Sequence, residues 1–256
     1  MRRQDRNERK RKLIRTVVFL AAFFLSAAVL GKGCYLLVSK CVSVFAQGGG
    51  EQEPVGTADG ADAPEEIPVP QGQQWNGWIV AIDPGHGGED DGCYREGVSE
   101  ARVNLELAKG LSEKLQALGF QTVMLREDDE TLPSLEDRVT QAAKAGADIF
   151  VSIHQNAYDG TQSGVSGIET WYCDTLEDSG RLARLIHEGA VKKTGAVDRG
   201  AQETDDIYVV RNAAMPSCLI ETAFLSDPAE RSSITSKTYQ DKLTEGIAEG
   251  IVAFFK

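Results

Sequence analysis

Three short apolar runs alternate with two stretches of helical periodicity, and this order constrains the fold more than any other feature of the chain. Trp78–Asp83, Gln121–Leu125 and Ile149–His154 are short and bounded by Gly, Pro or polar residues, which is a strand signal. Between the first two, Val103, Leu107, Leu111, Leu115 and Leu118 recur at helical spacing, with Ser99 placed as an N-cap and Gly119 as the stop. Between the second and third, Ser134–Ala145 is amphipathic and ends at Gly146. The order βαβαβ implies a largely parallel sheet covered by helices. Further on, Ile168–Tyr172, Ile207–Val210 and Ser217–Glu221 read as strands. Asp178–Thr194 and Thr238–Phe255 read as helices, the last with Tyr239, Leu243, Ile247, Ile251 and Phe255 on one face. The expected fold is a single three-layer α/β domain over residues 77–256, its mixed sheet mostly parallel with helices on both faces.

The stretch ahead of that domain has a different composition. Residues 1–15 hold eight Arg or Lys against Asp5 and Glu8. Residues 16–31 form an uncharged apolar run, and the chain stays largely apolar to Phe45. A basic flank of this kind remains in the cytoplasm, and the chain beyond the apolar run is exported. Lys32 and Lys40 lie between the apolar run and a possible cleavage site after Val44-Phe45-Ala46. That favours a membrane anchor over 16–46 above a cleaved signal peptide, which would release the protein. Residues 47–76 are rich in Gly, Pro, Glu and Gln and read as a disordered acidic linker. The folded domain is thus expected to be extracytoplasmic, in the cell envelope.

The formal net charge is −12, although residues 1–15 are basic. An acidic domain argues against nucleic acid as a partner. Five cysteines give an odd count with no zinc-like spacing. Cys218 sits in an apolar run and reads as a core residue; nothing in the spacing decides whether Cys93 and Cys173 pair.

The chemistry-bearing residues lie where strands end. Trp78–Asp83 runs into a Gly-rich turn that presents His86, Ile149–Ile153 runs into His154, and Cys218–Ile220 runs into Glu221. In a parallel sheet the carboxyl ends share one edge, so residues distant in sequence can converge there. Glu100 opens the first helix, where a carboxylate is favoured by the helix end. Two His and a carboxylate with an open position is a catalytic zinc pattern, and a further carboxylate can then act as general base. His187, mid-helix among polar neighbours, reads as a surface residue, Arg138 as structural, and Glu127–Glu130 as a solvated loop.

These residues carry a resemblance. Asp83-Pro84-Gly85-His86-Gly87-Gly88 followed by Asp90 and Gly92, Glu100 with Val103-Asn104-Leu105, and Ser152-Ile153-His154-Gln155-Asn156 occur in order. Arg211, Met215-Pro216 and Ile220-Glu221-Thr222-Ala223-Phe224-Leu225-Ser226 come after them. Together they resemble the zinc-dependent N-acetylmuramoyl-L-alanine amidases of the amidase-3 family, from Trp78 to the C-terminus. The resemblance implies one Zn²⁺ ligated by His86, Glu100 and His154, with Glu221 as the catalytic carboxylate and peptidoglycan as substrate. The family cleaves the amide between the lactyl group of N-acetylmuramic acid and L-alanine. Arg211 and Asn156 are candidate substrate contacts. The chain departs from the family's usual residues at Ala101-Arg102, Cys93, Gln155 and Asp227, none of them a proposed ligand. Tyr158–Gly167 leaves no room for the inhibitory helix that some relatives carry there. Other readings of the same residues are a zinc peptidase acting within the stem and a non-catalytic wall-binding protein.

Overall fold

Each apolar run becomes a strand whose alternate side chains meet helices on opposite faces of one sheet. The computed structural model describes residues 76–160 and 164–256. In chain order the elements are β1 (Ile79–Pro84), β2 (Tyr94–Arg95), β3 (Val98–Ser99), α1 (Glu100–Ala117), β4 (Gln121–Met124), α2 (Leu135–Lys144) and β5 (Ile149–Asn156). They continue with β6 (Ile168–Tyr172), α3 (Ser179–Thr194), β7 (Asp198–Glu203), α4 (Tyr208–Asn212), β8 (Ser217–Phe224), α5 (Pro228–Ile234) and α6 (Lys237–Phe254). Six strands form the sheet in the order β4-β1-β5-β8-β6-β7. The first four are mutually parallel, while β6 is antiparallel to β8 and parallel to β7. The three-layer architecture and the mostly parallel mixed sheet are as expected from the sequence. The segments read as basic tail and membrane anchor, and residues 47–75 of the linker, lie outside the described residues. Among the described residues no helix is long and apolar enough to cross a membrane.

Side-chain parity assigns the two faces. Val80 and Ile82, Val151 and Ile153, and Cys218 and Ile220 pack under α1, α3 and α6 in one cluster. Ala81, Phe150 and Leu219 pack under α2 and α4 in the other. The α3–α6 contact is close enough that a Cβ on Gly189 would overlap the Gly246 carbonyl, so only glycine fits there. Ser99 caps α1, its side chain accepting from the Arg102 amide at 3.5 Å, and Ser134 forms a capping box with Asp137 at the start of α2. At the foot of the sheet, where β1 begins, the Trp78 ring stacks on Phe255 with centroids 4.6 Å apart.

Two expectations need correction. Ile207–Val210 is not a strand: Ile207 is an N-cap and Tyr208–Asn212 is a helix whose Val209 and Val210 are buried. A short apolar run has no periodicity to tell the two states apart. His187 is not on the surface: it is 4% exposed, with Nδ1 3.1 Å from Thr170 Oγ1 and Nε2 2.8 Å from Asp198 Oδ1. It lies on the face of α3 that buries Ala183, Ile186 and Ala190. Further elements carry no apolar run and were not among those expected, namely β7, the β2–β3 hairpin and α5. β7 reads Asp-Arg-Gly-Ala-Gln-Glu and is an edge strand, where charge is favoured over hydrophobicity. Cys93, Cys173 and Cys218 are all free, and Cys218 is fully buried as expected.

Candidate functional site

His86 is placed by a turn that the backbone would not adopt unaided. Its φ is +61°, a region in which a non-glycine residue is uncommon, and Gly87 and Gly88 come next at +127° and +55°. Two buried arginines hold that turn through its carbonyls. Arg126 donates to the Pro84 and Gly85 carbonyls, each at 3.0 Å, and also to the carbonyl of Ala101 at 2.6 Å. Arg138 donates to the Pro84 carbonyl at 3.0 Å and to that of His86 at 2.8 Å, and its Nη1 pairs with Asp83 Oδ1 at 2.5 Å. Arg138 is thus structural, as expected.

Glu100, the first residue of α1, is 3% exposed and lies between the two imidazoles. Its Oε1 is 3.2 Å from His86 Nε2 and 3.0 Å from His154 Nδ1. Its carboxylate also accepts from the amides of Cys93 and Gln155, at 2.8 and 3.0 Å, and from Asn104 Nδ2 at 3.4 Å. One ligand atom from each of His86, Glu100 and His154 falls within 4.8 Å of the others, an arrangement able to hold a metal ion. Asp90 Oδ2, 2.7 Å from His86 Nδ1, orients that ring from behind, as the outer partner of a metal-ligating imidazole does.

Charge at the triad shows what the donors lack. Burial disfavours the charged form of His86, yet the Glu100 and Asp90 carboxylates outweigh it and raise its pKa to about 9. Burial likewise opposes ionisation of Glu100, and the two imidazoles overcome it and hold the carboxyl well below the usual carboxylate range. A divalent cation among these donors would compete with protons for them, since ligating imidazoles are neutral and ligating carboxylates ionised. The residues present therefore fit a metal.

Glu221 stands beside the triad. It is the register partner of His154 across β5 and β8, on the face that carries Leu219 and α4. Its Oε2 is buried without a hydrogen-bond partner among the described residues. Burial raises its pKa to about 7, partly countered by His154. A cleft of about 450 Å³ opens on this face, lined by Asp83, His86, His154, Leu132, Leu135 and Tyr208 among others.

The remaining candidates sit differently. Arg211 lies on α4, exposed, its Nη1 donating to the Asp205 carbonyl at 3.0 Å, and is not among the residues lining the cleft. Asn156 ends β5 and donates from Nδ2 to Glu169 Oε1 at 2.7 Å. Gln155 reaches into the layer under α1, where Nε2 meets Asn104 Oδ1 at 3.2 Å and Thr222 Oγ1 at 2.5 Å. Asp227 caps α5. Asp90, Arg126 and Asn104 were not singled out from sequence for these positions; Arg126 and Asn104 reach the site only through the fold, whereas Asp90, four residues after His86, had a local signal.

A Cβ on Gly85 would overlap the His154 ring. Gly85→Ala is therefore expected to weaken metal binding about 10- to 100-fold, as loss of ligand orientation typically does. Competition with a chromophoric chelator would read this, and unchanged affinity would refute it.

The family described as N-acetylmuramoyl-L-alanine amidase (Amidase_3) matches residues 80–253. The chain is 40% identical over 182 residues to N-acetylmuramoyl-L-alanine amidase LytC of Bacillus subtilis, covering 70% of this chain and 36% of LytC, so it spans about a third of that relative. It is 31% identical to the germination-specific N-acetylmuramoyl-L-alanine amidase of the same organism, over 70% of this chain and 81% of the relative. The solved N-acetylmuramoyl-L-alanine amidase from Clostridium difficile 630 superposes with a TM-score of 0.66 at 38% identity, over 70% of this chain and 96% of the other. With the family match running from β1 to the last turn of α6, the chain belongs to the Amidase_3 family.

Proposed function

We propose that this chain hydrolyses the amide between the lactyl group of N-acetylmuramic acid and the L-alanine of the peptidoglycan stem. In this reading one zinc ion is held by His86, Glu100 and His154, and Glu221 is the catalytic carboxylate. The observation that carries the reading is the unpartnered, buried Glu221 Oε2 one strand from His154. A carboxylate in that state costs stability, and its position beside three converging ligand atoms supplies the reason to keep it. When bound, the ion supplies Lewis acidity at the scissile carbonyl. Glu221 takes the proton of the attacking water and delivers it to the alanine nitrogen as the C–N bond breaks. Asp90 fixes the His86 ring, while Arg126 and Arg138 hold the turn beneath it.

The same reading places the catalytic domain outside the cytoplasm, tethered through residues 16–46 and the linker 47–76, with no role for nucleic acid. Arg211, on the helix α4 whose Tyr208 lines the cleft, remains a candidate contact for substrate, whereas Asn156 donates its amide to Glu169.

Digestion of purified peptidoglycan with and without a chelator, then mass analysis, tests the proposal. Chelator-sensitive release of intact stems beginning at L-alanine is expected. A new amine within the stem would mean a peptidase. No release, with one equivalent of zinc bound, would favour the wall-binding reading.

A further inference from the structure

Beyond Glu221 the sheet carries an arginine that the reaction does not use. Glu221 on β8 is the register partner of Glu169 on β6. On the far side of β6 the register shifts: Ile168 pairs with Asp198 and Thr170 with Ala201, so Arg199 and Gly200 of β7 together oppose Glu169. This is a β-bulge, a device that re-aims a side chain, and Gly200 adopts φ +85° to form it. Asp198 faces α3, where it meets His187. Arg199, the next residue, turns to the opposite face, which is the face of Glu169, Glu221 and His154.

The guanidinium is held in place there. Arg199 Nε donates to Glu169 Oε2 at 2.7 Å, and Glu169, 6% exposed, is fixed in turn by Asn156 Nδ2 on Oε1 at 2.7 Å. Arg199 Cζ lies 4.9 Å from the centroid of the Phe224 ring, and its Cδ passes beside Gly167. Among the described residues Nε makes its one hydrogen bond, and the side chain is 36% exposed. Neither Nη nitrogen has a hydrogen-bond partner among the described residues, which leaves open the fork that takes a carboxylate end-on.

We propose that Arg199 grips a carboxylate of the departing stem peptide, two to three residues beyond the scissile amide; this rests on the amidase reading above. The direction comes from the proton. Glu221 delivers it to the alanine nitrogen, so the leaving peptide lies on the Glu221 side of the ligand triad, towards β6 and β7. The distance comes from strand spacing. Two strand intervals of about 4.8 Å separate β8 from β7, roughly 10 Å in all, and an extended peptide covers that in about three residues at 3.3 Å each. In a stem peptide the carboxylates at that range are those of the second-position glutamate and of the third residue when it is diaminopimelate.

The test is titration of the zinc-loaded full chain with free stem tripeptides. One leaves free the carboxylates of the second residue and of the diaminopimelate side chain, one is amidated at the former, and one is amidated at the latter. Wild type should bind the free acid at least tenfold more tightly than one of the amides, and the amide that loses affinity identifies the carboxylate. Arg199→Met should abolish that preference while binding the discriminated amide as wild type does. Arg199→Lys, which keeps a cation beside Glu169, should retain only part of it. Equal wild-type affinity for all three peptides overturns the proposal. So does a loss of affinity for all three alike in both variants, which would mark Arg199 as packing. Carboxylate-selective binding without lactyl-amide hydrolysis would sink the reaction and leave the Arg199 site standing. Hydrolysis without selectivity would do the reverse.

Discussion

Glu221→Gln is expected to lower lactyl-amide hydrolysis by about 10²- to 10⁴-fold, the usual contribution of a positioned general base, with one equivalent of zinc still bound. The substitution keeps the shape of the side chain and removes only its ability to take a proton. It also makes an opposite prediction for stability in chelated protein. Burial raises the Glu221 pKa from an ordinary 4.5 to about 7. Below pH 4.5 both folded and unfolded chains hold the proton and the group costs nothing. As the pH rises, the unfolded chain releases the proton first, so the folded state loses stability until its own carboxyl ionises near pH 7. The loss is then complete at about 3 kcal/mol, from 1.36 kcal/mol per pKa unit. Glu221→Gln should therefore unfold at higher denaturant than wild type at pH 8 and at the same concentration near pH 4. Wild-type hydrolysis by the variant would remove Glu221 from the mechanism, and an equal stability gap at both pH values would remove the desolvation argument.

Arg138→Met is expected to destabilise the fold by about 3–5 kcal/mol, the cost of leaving one member of a buried ion pair without the other. Asp83 and Arg138 are 1% and 3% exposed, and Asp83 Oδ2 is further bonded by Ser152 Oγ at 2.7 Å. Without the guanidinium, that carboxylate would stand nearly buried at the wall of the cleft with the Ser152 hydroxyl as its remaining side-chain donor. The double variant with Asp83→Ala should recover part of the loss, because the stranded charge is gone. Denaturant melts of the two single variants and the double close the cycle. A single-variant cost under about 1 kcal/mol would mean that the pair is not desolvated as the structure has it. The same arginine holds the His86 carbonyl, so a weakened metal site should accompany the loss.

How much of this was legible in the sequence depended on whether a residue's partner was local. The strands β1, β5 and β8 announced themselves because each is apolar on both faces, and the helices because their apolar positions recur every turn. Their carboxyl ends then had to share an edge, which brought His86, His154 and Glu221 together on paper. Three kinds of information were not local. Edge strand β7 is polar along its length, so no hydrophobic pattern marks it. The burial of His187 depends on Asp198 and Thr170, eleven and seventeen residues away, whose pairing is a tertiary fact. Arg126 looks like one more charge before an acidic loop, and only the fold shows that its side chain is enclosed and bonded to backbone carbonyls of Pro84, Gly85, Ala101 and Asp128. Ile207–Val210 failed for another reason: four residues are too few to display a period.

The stacking of Trp78 on Phe255 fixes where the domain is fastened. Both rings sit where β1 starts, and the six residues of that strand carry the chain about 20 Å, at 3.3 Å per residue, to the turn that presents His86. Asn76 and Gly77 thus enter at the end of the sheet opposite that turn. The stack and the turn that presents His86 thus stand at opposite ends of one strand, so a change at Trp78 or Phe255 reaches the ligand triad only through the length of β1.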